Sequence, residues 1–113
     1  MIRIYHNPRC RKSREGLNLV EESGQKYQVI KYLEEVPDEA EIRELLECLE
    51  LKPIQLIRKN EAVWKEKFKG KDLTDEEIIK AMVDHPKLIE RPIVVKNKKA
   101  VLGRPPENIK ELL

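Results

Sequence analysis

Apolar residues recur along this chain with two different periods, and the switches between them lay out its elements. Ile2 and Ile4 share one face of an alternating run, so residues 2–6 read as a strand. From Arg11 to about Ser23 the period lengthens to that of a helix, with Leu17 and Val20 facing inward and Gly24 placed to end it as the C′ residue. Gln25 to Leu33 carries Tyr27, Val29, Ile30 and Tyr32, a β-prone run that predicts a second strand. Two strands joined by a helix imply a right-handed parallel βαβ unit.

After Pro37 the pattern turns helical and stays so to about residue 88. Asp38-Glu39-Ala40-Glu41 has the form of a capping box, followed by Ile42, Leu45, Leu46 and Leu49 at helical spacing. Pro53 can open a short helix carrying Ile54, Leu56 and Ile57. Trp64 and Phe68, four apart, form an apolar helical face, and the basic run from Lys65 to Lys71 reads as a solvated helix end and loop. Thr74-Asp75-Glu76-Glu77 is a second capping box, ahead of Ile78, Ile79, Met82 and Val83.

Pro92 to Lys96 and Ala100 to Leu102 are two short strands around a polar turn at Asn97-Lys98, which predicts an antiparallel hairpin. Pro105-Pro106 can then start a last helix with Ile109, Leu112 and Leu113 inward. The order is β, α, β, helical block, β, β, α. Without the block it resembles the thioredoxin or glutaredoxin arrangement. The expected fold is therefore α/β, a mixed four-stranded sheet with a helical insertion at about 38–88 between the βαβ and ββα units, and residues 1–113 form one domain. That resemblance implies a cis-proline ahead of the third strand. X–Pro is the only bond that adopts cis at low cost, so Arg91-Pro92 is the expected position.

Composition narrows the classes of function. A formal net charge of +2 carries no general nucleic-acid footprint. No run of about 18 apolar residues predicts a membrane span, and the strand pattern begins at once, leaving no room for a signal peptide. Cys10 and Cys48 alone make no disulfide framework, and no clustered Cys/His set predicts a metal site. A reducing, cytoplasmic setting and a monomer are expected.

The chemistry concentrates in His6-Asn7-Pro8-Arg9-Cys10-Arg11-Lys12-Ser13-Arg14, at a strand-to-helix turn. A thiol there meets the free N–H groups and positive end of the helix. Neighbouring cations add to the conditions that ionise a cysteine near neutral pH. Ser13 occupies the position where a dithiol oxidoreductase carries its second cysteine. It cannot resolve a disulfide, but its hydroxyl can donate to a thiolate. Cys48 lies beside the apolar face of its helix and reads as a boundary thiol. His85, before Pro86, reads as a helix C-terminal residue.

From end to end the chain resembles the glutaredoxin-dependent arsenate reductases, and more broadly the Spx-type regulators. The resemblance is carried by His6-Asn7-Pro8-x-Cys10-x-x-Ser13-Arg14, Tyr32-Leu33-Glu34, Leu56-Ile57-Arg58-Lys59-Asn60, His85-Pro86 with Ile89-x-Arg91-Pro92-Ile93-Val94-Val95, and Gly103-Arg104-Pro105. It implies that Cys10 is the nucleophile, that His6 helps keep it ionised, and that Arg58, Arg91 and Arg104 hold the oxyanion. Arginine suits that task, because its planar fork offers paired N–H donors and stays charged. The implied reaction is reduction of arsenate to arsenite through a covalent thioarsenate. Glutathione is the co-substrate, glutaredoxin the protein partner, and no cofactor is tightly bound. Arg9, Arg11 and Lys12 depart from the family, which commonly has small or neutral residues between the cysteine and the serine. Two other classes remain open on the residues alone: a glutathione-dependent thiol oxidoreductase of another substrate, and a non-enzymatic Spx-like regulator that binds RNA polymerase. The single thiol of Cys10-x-x-Ser13 argues against redox sensing by a dithiol switch.

Overall fold

The computed structural model describes residues 1–113. The elements, in order, are β1 (Ile2–Tyr5), α1 (Arg11–Glu22), β2 (Tyr27–Ile30), α2 (Glu39–Leu49), α3 (Ala62–Lys67), α4 (Asp75–Asp84), β3 (Ile93–Lys96) and β4 (Lys99–Leu102). Three 3₁₀ turns, Pro53–Leu56, Pro86–Leu88 and Pro106–Glu111, each begin on a proline whose fixed φ suits a first helical position. Internal packing divides the chain into one unit of residues 1–35 and 91–113 and another of residues 36–90. No helix is long and apolar enough to cross a membrane.

The first unit holds the four-stranded sheet, in the order β2-β1-β3-β4. β1 and β2 are parallel, and β3 is antiparallel to both β1 and β4, giving the mixed thioredoxin-like sheet. Ile2, Ile4, Val20, Val94 and Ile109 form its buried cluster, with Leu17 and Val29 packed against them. Tyr5, Ile93 and Val95 are buried too, so β1 and β3 are covered on both faces. α1 packs against the Pro106–Glu111 turn. It ends at Gly24 (φ +72), where the absence of a Cβ removes the left-handed penalty. Asn97 (φ 58) makes the hairpin turn between β3 and β4.

The second unit is mostly helical. α4 packs against α2 and against the Pro53–Leu56 turn, and Ile42, Leu45, Leu56, Ile79, Met82 and Leu88 are buried. Thr74 and Glu77 complete a reciprocal capping box at the start of α4. At α2 the Asp38 carboxylate accepts from the Glu41 N–H at 2.8 Å. The unit also contains a short antiparallel pairing: Ile57 faces Ile89, Arg58 N donates to Leu88 O at 2.7 Å, and Glu90 N donates to Leu56 O at 2.9 Å.

The Arg91-Pro92 bond is cis, as expected, and so is Arg104-Pro105, which the sequence reading did not single out. Pro92 is packed between two glycines. A Cβ on Gly16 or on Gly103 would lie 2.8 Å from Pro92 Cγ and 2.8 Å from Ile109 Cδ1. The isoleucine methyl can swing away, whereas the pyrrolidine ring cannot. Gly16→Ala and Gly103→Ala are each expected to cost about 1–3 kcal/mol of stability, the usual range for overpacking. Urea unfolding checks this, and native midpoints in both variants would refute the close packing.

Candidate active site

The turn after β1 is built by Asn7. Its backbone C=O accepts from Cys10 N at 3.0 Å, its Oδ1 accepts from Arg9 N at 3.0 Å, and its own N–H donates to Ser13 Oγ at 3.0 Å. The Arg14 guanidinium adds a bond to Pro8 O at 2.9 Å. Cys10 thereby becomes the N-cap of α1, with extended backbone (φ −94, ψ 122). At most helix starts a Ser, Thr or Asp oxygen sits there and accepts a free N–H. Here a cysteine holds that position; its sulfur makes no capping hydrogen bond, but the nearby backbone N–H groups of Ser13 and Lys12 favour its ionised form. A thiolate satisfies those donors better than a thiol and is favoured by the helix dipole.

Two arginines reach the sulfur from the strand side of the same unit. Arg91 is 8% exposed and its side chain hydrogen-bonds Cys10. Arg104 Nη1 lies 4.0 Å from Sγ, a Coulombic contact rather than a tight hydrogen bond, and donates to Arg91 O at 3.2 Å. Burial pushes the Cys10 thiol up from its ordinary 9.0. The Ser13 N–H and the hydrogen bond and charge of Arg91 outweigh it, so the net shift is downward. Pro92, locked between Gly16 and Gly103, and its C=O bonded to Gly103 N at 2.8 Å, fix the backbone next to Arg91.

His6 and Ser13 form a buried pair, with His6 Nδ1 2.7 Å from Ser13 Oγ. The Ser13 hydroxyl is thus engaged by His6 and Asn7, and what Ser13 gives the sulfur is its backbone N–H. Burial lowers the His6 pKa below its ordinary 6.5, with the Ser13 bond opposing and the Lys31 and Arg14 charges assisting. His6 is therefore a neutral ring that positions Ser13. A depressed imidazole pKa means that the unfolded chain binds the extra proton first. The stability linked to His6 is full above pH 6.5 and is lost as pH falls below it. His6→Asn should flatten the decline in urea midpoint between about pH 7.5 and 5.5. An equally steep decline in that variant would show that His6 does not titrate this way.

Arg58 belongs to the unit of residues 36–90. Its Nε lies 3.6 Å from Glu61 and its Nη1 3.8 Å from Glu90, and its side chain is 20% exposed. Cys48 is half-buried and His85 caps the C-terminus of α4, in edge contact with Phe68. The sequence reading assigned no role to Asn7, although an Asn-Pro pair after a strand is itself a turn signal. Gly16 left no signal in the sequence, because its partner Pro92 is distant along the chain.

The ArsC family matches residues 5–112. An uncharacterized Escherichia coli K12 protein, YfgD, is 49% identical over 99% of this chain and 96% of its own length. An arsenate reductase of Neisseria meningitidis is 42% identical over 99% of this chain and 97% of its own. The solved structure of an arsenate reductase from Vibrio cholerae superposes with a TM-score of 0.94 at 48% identity, covering 99% of this chain and 97% of that one.

Proposed function

The chain belongs to the ArsC family, and on that premise we propose that it reduces arsenate to arsenite with Cys10 as its nucleophile and glutathione and glutaredoxin as its reductants. One observation carries the reading: the Cys10 sulfur stands at the N-terminus of α1 while Arg91 hydrogen-bonds it and Arg104 lies 4.0 Å away. An oxyanion and a thiolate repel each other, so a site that joins them needs fixed cations at the sulfur. Two guanidiniums supply that without requiring a proton. The resemblance adds Arg58 to this pair.

In the proposed reaction the Cys10 thiolate attacks As(V) and a protonated oxygen leaves as water, forming a S–As bond. Arg91 and Arg104 stabilise the charge on the remaining oxygens. Glutathione displaces a second oxygen as water and forms a second S–As bond. The glutaredoxin thiolate then attacks the glutathione sulfur. A mixed disulfide forms, the S–As electron pair stays on arsenic, and As(V) becomes As(III). Water finally displaces arsenite and returns Cys10. Two thiols are oxidised for each arsenic reduced, so Cys10 needs no resolving cysteine, which fits Ser13.

An assay coupling arsenate, glutathione, glutaredoxin and glutathione reductase to NADPH tests the reading. Arsenate-dependent NADPH consumption is expected, and its reduction by Arg58→Ala would support the third arginine. No arsenate-dependent consumption would overturn the assignment.

A further inference from the structure

A cleft of about 310 Å³ opens on the far end of the active-site turn, lined by His6, Pro8, Arg9, Lys31, Leu33 and Glu34. Cys10, Arg91 and Arg104 do not line it, so the oxyanion chemistry leaves it unused. We propose that this cleft seats the thiol co-substrate, a short peptide bearing separate carboxylate and ammonium ends, the class to which glutathione belongs. The co-substrate role rests on the reductase reading above, while binding itself does not.

Charge and shape both favour such an occupant. Arg9 and Lys31 offer cations for a carboxylate, and Glu34 offers an anion for an ammonium, within one concavity. None of the three is ion-paired within the chain, unlike neighbouring Arg11, whose Nε meets Glu15 at 3.1 Å. Pro8 and Leu33 give an apolar wall for a methylene arm. The volume falls at the lower end of small-ligand clefts, roughly 300–1,000 Å³, where a tripeptide fits and a folded partner does not. His6 is buried to 5% exposure, and its one side-chain hydrogen bond is Nδ1 to Ser13, which leaves Nε2 for a ligand.

Reach is the second argument. Arg9 lines the cleft and is the residue before Cys10, one Cα step of about 3.8 Å. In a thiol tripeptide of this class the sulfur sits on the middle residue, about 3.3–3.6 Å along the chain from the carboxyl-terminal residue. A peptide held by one end against Arg9 and Lys31 can therefore carry its sulfur onto the Cys10 side of the turn. Because the cleft shares no arginine with the thiol site, thiol and oxyanion occupy the protein together rather than in competition.

S-Methylglutathione, which keeps both charged ends but has no free thiol, separates binding from redox chemistry. Titrating it while following the ring protons of the two histidines should shift His6 saturably and leave His85 unmoved. Lys31→Glu should abolish that shift. In the NADPH-coupled assay, Lys31→Glu and Glu34→Lys should each raise the KM for glutathione roughly tenfold and leave that for arsenate within about twofold. Both residues are exposed surface positions, so folding should survive their reversal. A stationary His6 resonance, or an unchanged glutathione KM in an enzyme that still turns over, would overturn the cleft and leave the reductase reading standing. A saturable His6 shift in a protein without arsenate turnover would do the reverse. If inorganic phosphate shifts His6 with equal affinity and Glu34→Lys has no effect, the cleft is a bare anion site and the peptide assignment falls.

Discussion

Cys10→Ser should lower arsenate-dependent NADPH consumption by at least about 10³-fold while leaving the fold as stable as before or more so. The two halves of this expectation have one cause. A serine hydroxyl in the same place meets the same Ser13 and Lys12 N–H groups, but it does not ionise at neutral pH, and an alcohol is a poor nucleophile toward As(V). As an N-cap, however, serine is a preferred residue, whereas Cys10 makes no side-chain capping bond. The variant exchanges a reactive sulfur for a helix cap. Thermal melting and the coupled assay on the same sample check both halves. Activity within about tenfold of the native protein would remove Cys10 from the nucleophile's role, whatever the stability. Cys48→Ser serves as the comparison and should keep its activity, since that half-buried thiol lies in the helical unit and has no part in the proposed reaction.

Local patterns made much of this legible in the sequence, and long-range geometry hid the rest. The period-two runs gave β1, β3 and β4 within a residue or so. The β-prone run continues through Tyr32 and so predicts a longer β2, but the ladder ends at Ile30, whose C=O accepts from His6 N at 2.9 Å, and Tyr32 is buried beyond it. Ile54, Leu56 and Ile57 suggested one helical face. The 3₁₀ turn in fact stops at Leu56, and the chain goes extended to pair Ile57 with Ile89, a contact no local period encodes. At the site, Cys10 and the cis Arg91-Pro92 bond followed from motif and fold. The partners of the Ser13 hydroxyl did not. The Cys10-x-x-Ser13 spacing puts it near the thiol, but the bond is decided by where His6 and the Asn7 N–H fall once the turn closes. The acids on Arg58 divide in the same way. Glu61 is three residues along and could have been guessed, whereas Glu90 arrives only through the Ile57–Ile89 pairing.

Arg91→Ala should cost about 10²–10³ in kcat/KM for arsenate and raise the pH at which Cys10 becomes reactive. Burial already pushes the thiol up, and Arg91 supplies both a hydrogen bond and a charge against it. Removing both leaves the Ser13 and Lys12 N–H groups to oppose burial alone. Cys10 is an acid with a depressed native pKa, so its linked stability is present above the ordinary 9.0 and is lost as pH falls through the lower native value. In Arg91→Ala that dependence should shrink and move toward higher pH. Iodoacetamide alkylation against pH, in a Cys48→Ser background, reads the thiol directly. Arg91→Lys guards against a variant that fails to fold. It keeps a cation for the buried position but loses the planar fork, so the alkylation profile should recover further than arsenate turnover does. Arg104→Ala should show the converse, because at 4.0 Å it acts on the sulfur by charge alone. Turnover should fall, with a smaller shift in the alkylation profile. If Arg91→Ala alkylates with the native pH profile, the thiolate is held by the helix terminus, and the arginines act on the oxyanion only.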